Sequence, residues 1–266
     1  MPLSSDKIQW FTVCLEWFGL VYSKQTKPFQ TKLTKQTILP YILHIETATE
    51  ICSVALSKGN VLLAHQESDV PNQHSSQLTL LIQAAMAQAN VPMSSLSAVS
   101  LSSGPGSYTS LRVGTSVAKG VCYALSIPMI GIDTLQSLAI GAKEDIQDED
   151  AIYCPMIDAR RMECYTALYD SVGNELRAME ARIIDEAFRD ELLALNKKII
   201  LSGSGAEKCR TFLDQNTFVY SKTVCNSLNM LNIAYQKFTH FIFEDIAYFS
   251  PEYLKAPNIT QSKKVL

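Results

Sequence analysis

The sequence predicts an α/β protein built as a duplicated pair of lobes, in which each lobe is a mixed sheet flanked by helices. Three observations support this prediction. Short β-rich runs alternate with amphipathic helical segments, the same order of elements restarts at Ile152, and residues 143 to 150 between the halves are charged, with Ile146 as their single large apolar residue. A duplicated lobe of this kind is expected to enclose a cleft between the halves.

The first half opens with three β-rich runs, around Ile42 to Ile45, Cys52 to Leu56 and Val61 to His65. An amphipathic helix is predicted over residues 75 to 90, with Ser75 or Ser76 as its cap. A buried strand at 98 to 101, a helix at 110 to 125, a strand at 127 to 132 and a helix at 134 to 142 follow. Three short strand-forming runs, followed by helices that alternate with strands, predict a sheet with both antiparallel and parallel strands.

The second half repeats this order. Strands are predicted at 153 to 157 and 163 to 169, a helix at 185 to 195, and a strand at 198 to 201. Gly203 and Gly205 then turn the chain into a further helix. We therefore divide the chain into an extension at 1–40, an N-terminal lobe at 41–145, a C-terminal lobe at 146–256 and a tail at 257–266.

Composition places the chain among ordinary globular proteins. It has 266 residues, of which 47% are hydrophobic and 18% charged, and its net charge of -3 disfavours tight binding of nucleic acid by this chain alone. The seven cysteines lack the short spacing of metal or redox motifs, so we expect them to be buried in a reducing compartment. No segment is predicted to span a membrane, which favours a cytoplasmic protein.

The first forty residues differ from the rest. Trp10 and Trp17 belong to a short aromatic segment, and residues 23 to 37 carry four lysines and no acidic residue, as in a solvated linker. The aromatic segment is compatible with an amphipathic helix, and equally with translation from an upstream start codon.

The most informative segment is the glycine loop between the strand at 98 to 101 and the following helix. Gly104 and Gly106 permit unusual backbone angles, Pro105 stiffens the turn, and Ser107 or Thr109 can cap the helix. A helix start of this kind can hold an anion. The loop matches neither the Walker motif nor the dinucleotide fingerprint, so an anion site and a purely structural turn stay equally open.

Two predicted helices carry smooth faces of small residues that permit close helix packing. These faces can pack on their own sheet or pair with another chain. The residues that we consider as a partner interface are Leu78, Ile82, Ala85, Gly114, Ala118 and Lys119.

Five segments together resemble the TsaB family in order and spacing. They are ILHIETATEICSVAL from Ile42, SGPGSYTSLRVG from Ser103, IPMIG from Ile127, MIDARRMECYTALY from Met156 and YFSPEYLK from Tyr248. The resemblance covers Tyr41 to Ala256. It implies the actin-like fold that sugar kinases and heat-shock ATPases share, in agreement with the two predicted lobes.

The resemblance also implies a function. Members of this family join a catalytic paralogue, TsaD, and a small ATPase, TsaE, in the bacterial complex that forms threonylcarbamoyladenosine in tRNA next to the anticodon. Contact with tRNA is then expected only through the complex, and a homodimer is a further option. No cofactor is firmly implied, although ATP or ADP could lie at the partner interface, near Thr47, Thr49, Gly203 and Gly205. The glycine loop with Arg112 is the other candidate contact.

A non-catalytic role follows from two positions. The resemblance places Thr134 and Leu138 where TsaD carries two metal-binding histidines four residues apart, and a leucine cannot bind a metal. His74 is expected to be a solvent-facing or capping residue. The cluster of Asp158, Arg160, Arg161 and Glu163 favours solvation or salt bridges over catalysis. The alternative is an independent actin-fold ATPase or a metallopeptidase-like enzyme.

Two positions depart from the family pattern. Glu46 stands where an aspartate is usual, which makes nucleotide hydrolysis more doubtful. Ser110 stands where a glycine is usual, and we therefore predict that this position has a negative φ.

Overall fold

The first sheet is built from the chain between residues 41 and 133. The computed structural model describes residues 39–68, 70–214 and 217–255. The strands of the first sheet are β1 (Tyr41–Glu46), β2 (Ser53–Lys58), β3 (Val61–Glu67), β4 (Ala98–Gly104) and β5 (Met129–Asp133). The helices that link its later strands are α1 (His74–Gln88) and α2 (Tyr108–Leu125).

The second sheet follows after a third helix, α3 (Thr134–Ile146). Its strands are β6 (Ile152–Asp158), β7 (Glu163–Tyr169), β8 (Glu175–Ile183), β9 (Ile199–Ser202) and β10 (Val219–Tyr220). The helices that accompany or follow them are α4 (Glu186–Leu193), α5 (Ser204–Lys208) and α6 (Leu231–Thr239). Short 3-10 turns lie at Met93–Ser95 and Ser227–Met230.

The strand order is the same in both sheets. The first sheet runs β3-β2-β1-β4-β5, and the second runs β8-β7-β6-β9-β10 in the equivalent direction. In each sheet the first strand pairs antiparallel with the second and parallel with the fourth. This repeated topology confirms the predicted duplicated α/β architecture.

The helices that follow each sheet pack on the opposite one. Leu135 and Leu138 of α3 lie in one apolar cluster with Tyr153 of the second sheet. Ile233 of α6 belongs to the cluster around Ile42 of the first sheet. The predicted boundary after residue 145 therefore separates the strands of the two sheets. It does not separate each sheet from the helices that cover it.

Most local predictions agree with the structure, and the exceptions lie at caps and in the second half. β7 has the predicted bounds, and Ser107 is confirmed as the cap of α2, because its side chain accepts from the Ser110 amide. Ser110 lies inside α2 without a positive φ, as predicted. The predicted serine cap of α1 is wrong. Gln73 occupies the N-cap position, and its side chain makes no capping hydrogen bond. β8, β10 and α6 were not predicted.

Six of the seven cysteines lie in the described part of the chain, and all six are buried and free, as predicted. Cys14, the aromatic segment, the lysine-rich linker and the tail at 257–266 lie outside the described residues. Within the described ranges, no helix has the length and apolarity needed to cross a bilayer.

Candidate functional site

The glycine loop is packed between two other segments of the chain. Gly104 has a φ of 114°, and a Cβ there would lie 2.7 Å from the carbonyl oxygen of Glu252. A Cβ at Gly106 would lie 2.7 Å from the Cβ of Ala48. The Ser107 amide donates to the Ala48 carbonyl oxygen over 2.7 Å. This part of the loop therefore binds protein backbone, which favours the structural interpretation of its glycines over an anion site.

The segment that covers the loop is held by a buried carboxylate. Glu46 ends β1 with no exposed surface, and its Oε1 accepts the Ala48 amide hydrogen bond over 2.6 Å. Burial raises the pKa of Glu46 to about 7, although the hydrogen bond from Ala48 favours the charged form. Burial raises the pKa values of the Cys52 and Cys225 thiols, and the nearby Glu46 carboxylate raises them further.

The same segment contacts α2 farther along the helix. Thr47 is buried, and its amide donates to the Ser102 hydroxyl over 3.1 Å. A Cβ at Gly114 would overlap the Thr47 hydroxyl and would lie 3.1 Å from Thr47 Cγ2. Gly114 is therefore needed for the close approach of α2 to this segment. Thr49, which lies two residues farther on, contacts the Cys225 thiol.

The second pair of glycines also serves packing. Gly203 has a φ of 87°, and a Cβ there would lie 2.6 Å from the Leu138 side chain. Its amide donates to the Thr223 carbonyl oxygen over 3.2 Å. A Cβ at Gly205 would lie 2.8 Å from the Cys164 sulphur. These contacts fit a close-packed strand end and leave no free cradle at the two glycines for a phosphate.

An open groove of about 550 Å³ lies beside this turn, lined by both polar and apolar residues. Arg210 stacks over the Tyr220 ring at 4.1 Å and pairs with Glu207, so its charge is already used. Arg210 is therefore not available in this groove as an unpaired cation for an anion.

The two positions that would carry metal ligands lie in the interior. Thr134 begins α3, Leu138 follows one turn later, and neither side chain has exposed surface. Threonine and leucine offer no nitrogen ligand, so the residues present do not fit a metal held by two histidines. In the described part of the chain, no three side chains of His, Cys, Asp or Glu converge as metal ligands.

Two other predictions about polar residues have clear outcomes. His74 is only 3% exposed and follows Gln73, the cap of α1, so the expected solvent-facing or capping position is wrong. Its ring contacts the backbone of Thr49 and Ile51, and burial lowers its pKa. The hairpin cluster behaves as predicted: Asp158 pairs with Lys208, and Glu163 pairs with Lys255.

The helix faces require a correction. Five of the six residues considered as interface candidates are buried against the first sheet, since the stripe that they form is the inner face of each helix. They are Leu78, Ile82, Ala85, Gly114 and Ala118. Lys119 is half-buried, and its Nζ lies 3.4 Å from the Ala247 carbonyl oxygen.

The outer face of the same two helices is different in character. Leu80 of α1 is 54% exposed and Tyr123 of α2 is 83% exposed. Ala84 and Ala87 are also exposed. Gly120 of α2 is exposed as well, and a Cβ there would meet no atom within 4 Å. We call the set of Leu80, Ala84, Ala87, Gly120 and Tyr123 the outer helix face.

The C-terminal segment crosses the start of α2, a feature that sequence reasoning missed. Tyr253 packs on Tyr108 with ring centroids 4.6 Å apart, and the Glu252 amide donates to the Ser103 carbonyl oxygen over 2.7 Å. Arg112 donates to the Tyr108 hydroxyl over 3.0 Å, while Thr109 stays exposed. The aromatic pattern around Tyr248 to Lys255 was the available signal for this packing.

Comparison with known proteins agrees with this architecture. The family described as "TsaD: tRNA N6-adenosine threonylcarbamoyltransferase" matches residues 67–265. The structure named "YeaZ from Pseudomonas aeruginosa" superposes with a TM-score of 0.69 at 22% identity, over 81% of this chain and 100% of that one. The family match covers more than half of the chain, so the chain belongs to the class of proteins that this family model describes.

Individual relatives narrow this class. The tRNA threonylcarbamoyladenosine biosynthesis protein TsaB of Escherichia coli (strain K12) is 31% identical over 167 residues, which cover 62% of this chain and 71% of that protein. The protein of the same name from Bacillus subtilis (strain 168) is 29% identical, over 48% of this chain and 54% of its own length. The chain belongs to the TsaB family.

Proposed function

We propose that this chain is a non-catalytic subunit in the formation of N6-threonylcarbamoyladenosine in tRNA, and that it binds and activates the catalytic paralogue TsaD through the outer helix face. The names of its relatives support the pathway. Thr134 and Leu138 support the non-catalytic role, because neither can replace a histidine ligand.

One observation carries the assignment of the surface. Glycine in an exposed helix interior costs about 1 kcal/mol relative to alanine. Gly114 has an internal reason for this cost, the contact with Thr47, whereas Gly120 has open space around it. A glycine on an open helix face lets a second helix approach closely. Tyr123, one turn farther on, supplies a large exposed aromatic group of the kind that dominates interface energetics.

The remaining members of the assembly follow from the family resemblance. We infer that TsaE joins the complex, that ATP or ADP lies at a subunit interface and not in a site of this chain alone, and that tRNA is reached through the complex in the cytoplasm. A homodimer would use the same outer helix face when TsaD is absent.

The alternative of an independent ATPase or metallopeptidase finds little support in the strand-end loops. Gly104, Gly106, Gly203 and Gly205 all face packed protein atoms. A nucleotide-dependent rise in the melting temperature of the isolated chain would favour the ATPase alternative over our proposal.

The proposal is tested by size-exclusion chromatography of the chain mixed with its cognate TsaD. We expect a single complex at micromolar concentration, and we expect Gly120→Trp to abolish it, because the new side chain holds the two helices apart. Ala187→Trp is the matched control, since Ala187 is an exposed small residue of α4 on the second sheet. Two separate peaks for the unmodified pair would overturn the proposal, and an unaffected Gly120→Trp complex would refute the assigned surface.

A further inference from the structure

Two of the seven arginines in the chain stand apart from the others. Five have a side-chain partner: Arg112 contacts Tyr108, Arg177 and Arg182 pair with Glu191, Arg189 pairs with Asp190, and Arg210 pairs with Glu207. Arg160 and Arg161 are exposed, and neither guanidinium has a partner among the described residues. Their charges are therefore free for an external ligand.

The backbone of this pair is also unusual. Both residues lie in the turn between β6 and β7, with φ values of 71° and 53°. Two backbone hydrogen bonds close the turn. The Ala159 amide donates to the Glu163 carbonyl oxygen, and the Glu163 amide donates to the Arg160 carbonyl oxygen. Glycine and asparagine adopt positive φ more readily than arginine does. Within the described ranges, no other two consecutive residues without glycine both have positive φ. Such outliers concentrate at functional sites.

The two acidic residues of the turn have partners other than the arginines. Asp158 and Glu163 flank the two arginines, but each carboxylate is already paired, with Lys208 and with Lys255. Neither carboxylate of the turn is therefore left for the two arginines, although the net charge of the whole chain is -3. We call these two arginines with their turn the arginine turn.

We propose that the arginine turn is a phosphate-binding site that contacts the RNA backbone when the assembly holds its tRNA. The inference rests on the proposed function for the identity of the RNA. The guanidinium group presents a rigid fork of N–H donors that matches a phosphate oxygen pair, and arginine remains charged at all physiological pH values. Phosphate contacts position a nucleic acid without reading its sequence, and two cations at the tip of a hairpin suit that task.

The test is tRNA binding by the complex of this chain with TsaD, measured by fluorescence anisotropy over a range of salt concentrations. Each lost phosphate contact reduces the slope of log K against log salt by nearly one, so we expect Arg160→Ala/Arg161→Ala to lower the slope by about 1 to 2 and the affinity about tenfold. Lys197→Ala/Lys222→Ala removes the same charge at two exposed lysines elsewhere, and we expect it to change both quantities much less.

A second variant separates binding from folding. We expect Arg160→Gly/Arg161→Gly to raise the melting temperature, because glycine accepts positive φ without strain, while RNA affinity falls as in the alanine variant. Unchanged RNA affinity in both arginine variants would overturn the inference. If those variants weakened pairing with TsaD and left RNA binding intact, the arginines would contact carboxylates of the partner protein instead of phosphates.

The inference and the proposed function can fail separately. Pairing with TsaD is followed by size exclusion on the same samples. If no complex forms, binding of the tRNA to this chain alone at low salt replaces the complex assay, and dependence on the two arginines there would support the arginine turn while the partner assignment failed.

Discussion

The Glu46 carboxylate accepts a hydrogen bond from the Ala48 amide over 2.6 Å, in a site with no exposed surface. The Ala48 carbonyl oxygen in turn accepts a hydrogen bond from the Ser107 amide, and the neighbouring Thr47 lies against Gly114. One buried carboxylate thus supports the segment on which both the glycine loop and α2 rest. In the described part of the chain no cation forms an ion pair with it.

The first prediction concerns the pH dependence of this site. The folded protein holds the Glu46 proton more tightly than the unfolded chain does, since its pKa rises from 4.5 to about 7. The contribution of Glu46 to stability is therefore most favourable below pH 4.5, falls as the pH rises to about 7, and is constant above. Glutamine at this position does not titrate. When the pH rises from 5 to 8, we therefore expect the free energy of unfolding of Glu46→Gln to increase by about 2 to 3 kcal/mol relative to that of the unmodified protein.

Urea unfolding at the two pH values measures this difference. Glu50→Gln is the matched control, because it makes the same substitution at an exposed glutamate of the same segment. An equal effect of Glu46→Gln at both pH values would contradict the prediction.

The second prediction concerns His44, two residues earlier on β1. His44 is fully buried between the hydroxyls of Ser100 and Ser57, at 2.7 and 2.8 Å, and burial lowers its pKa to about 3. The unfolded chain gains a proton near pH 6.5 while the folded protein does not, so stability is lost as the pH falls from 6.5 toward 3. When the pH falls from 7 to 4, we therefore expect the free energy of unfolding of His44→Gln to increase by about 3 kcal/mol relative to that of the unmodified protein.

The same unfolding assay tests it, with the exposed His240 changed to glutamine as the control. The slopes from His44 and Glu46 have opposite signs and offset each other between pH 4.5 and pH 6.5. The single variants should therefore reveal pH dependences that the unmodified protein conceals, and identical profiles for all three proteins would count against both assignments.

The third prediction compares two glycines of α2. We expect Gly114→Ala to destabilise the protein by about 1 to 3 kcal/mol, because the new methyl group overlaps Thr47 in a packed contact. We expect Gly120→Ala to stabilise the isolated chain by about 1 kcal/mol, because the methyl group meets open space and alanine favours the helix. Chemical denaturation measures both. Stabilisation by both substitutions would show that helix propensity outweighs the contact with Thr47 at position 114.

The fold class could be predicted from local patterns. Short β-rich runs marked β1 and β7, helical spacing marked α1 and α2, and the restart at Ile152 indicated the duplication. Glu175 to Ile183 was missed because this edge strand is only partly buried and mixes charged with apolar residues. The two-residue strand β10 is too short to produce a pattern.

The candidate interface shows where local patterns stop. Helical spacing grouped Leu78, Ile82 and Ala85 on one side of α1 correctly, but Leu80 and Ala84 form an apolar set on the other side. Periodicity identifies residues that share a face, and it does not decide which of two apolar faces meets the sheet. Packing against the first sheet made that decision.

By itself the sequence determined the order of the elements, the glycine loop, and the absence of histidine at positions 134 and 138, since all of these are properties of neighbouring residues. Only the tertiary structure decided that Glu46 and His44 are buried, that Gly120 faces open space while Gly114 does not, and that Asp158 and Glu163 are paired and leave Arg160 and Arg161 free. Burial and charge pairing depend on segments that are distant in sequence, and Lys255 reaches Glu163 only because the folded chain returns there.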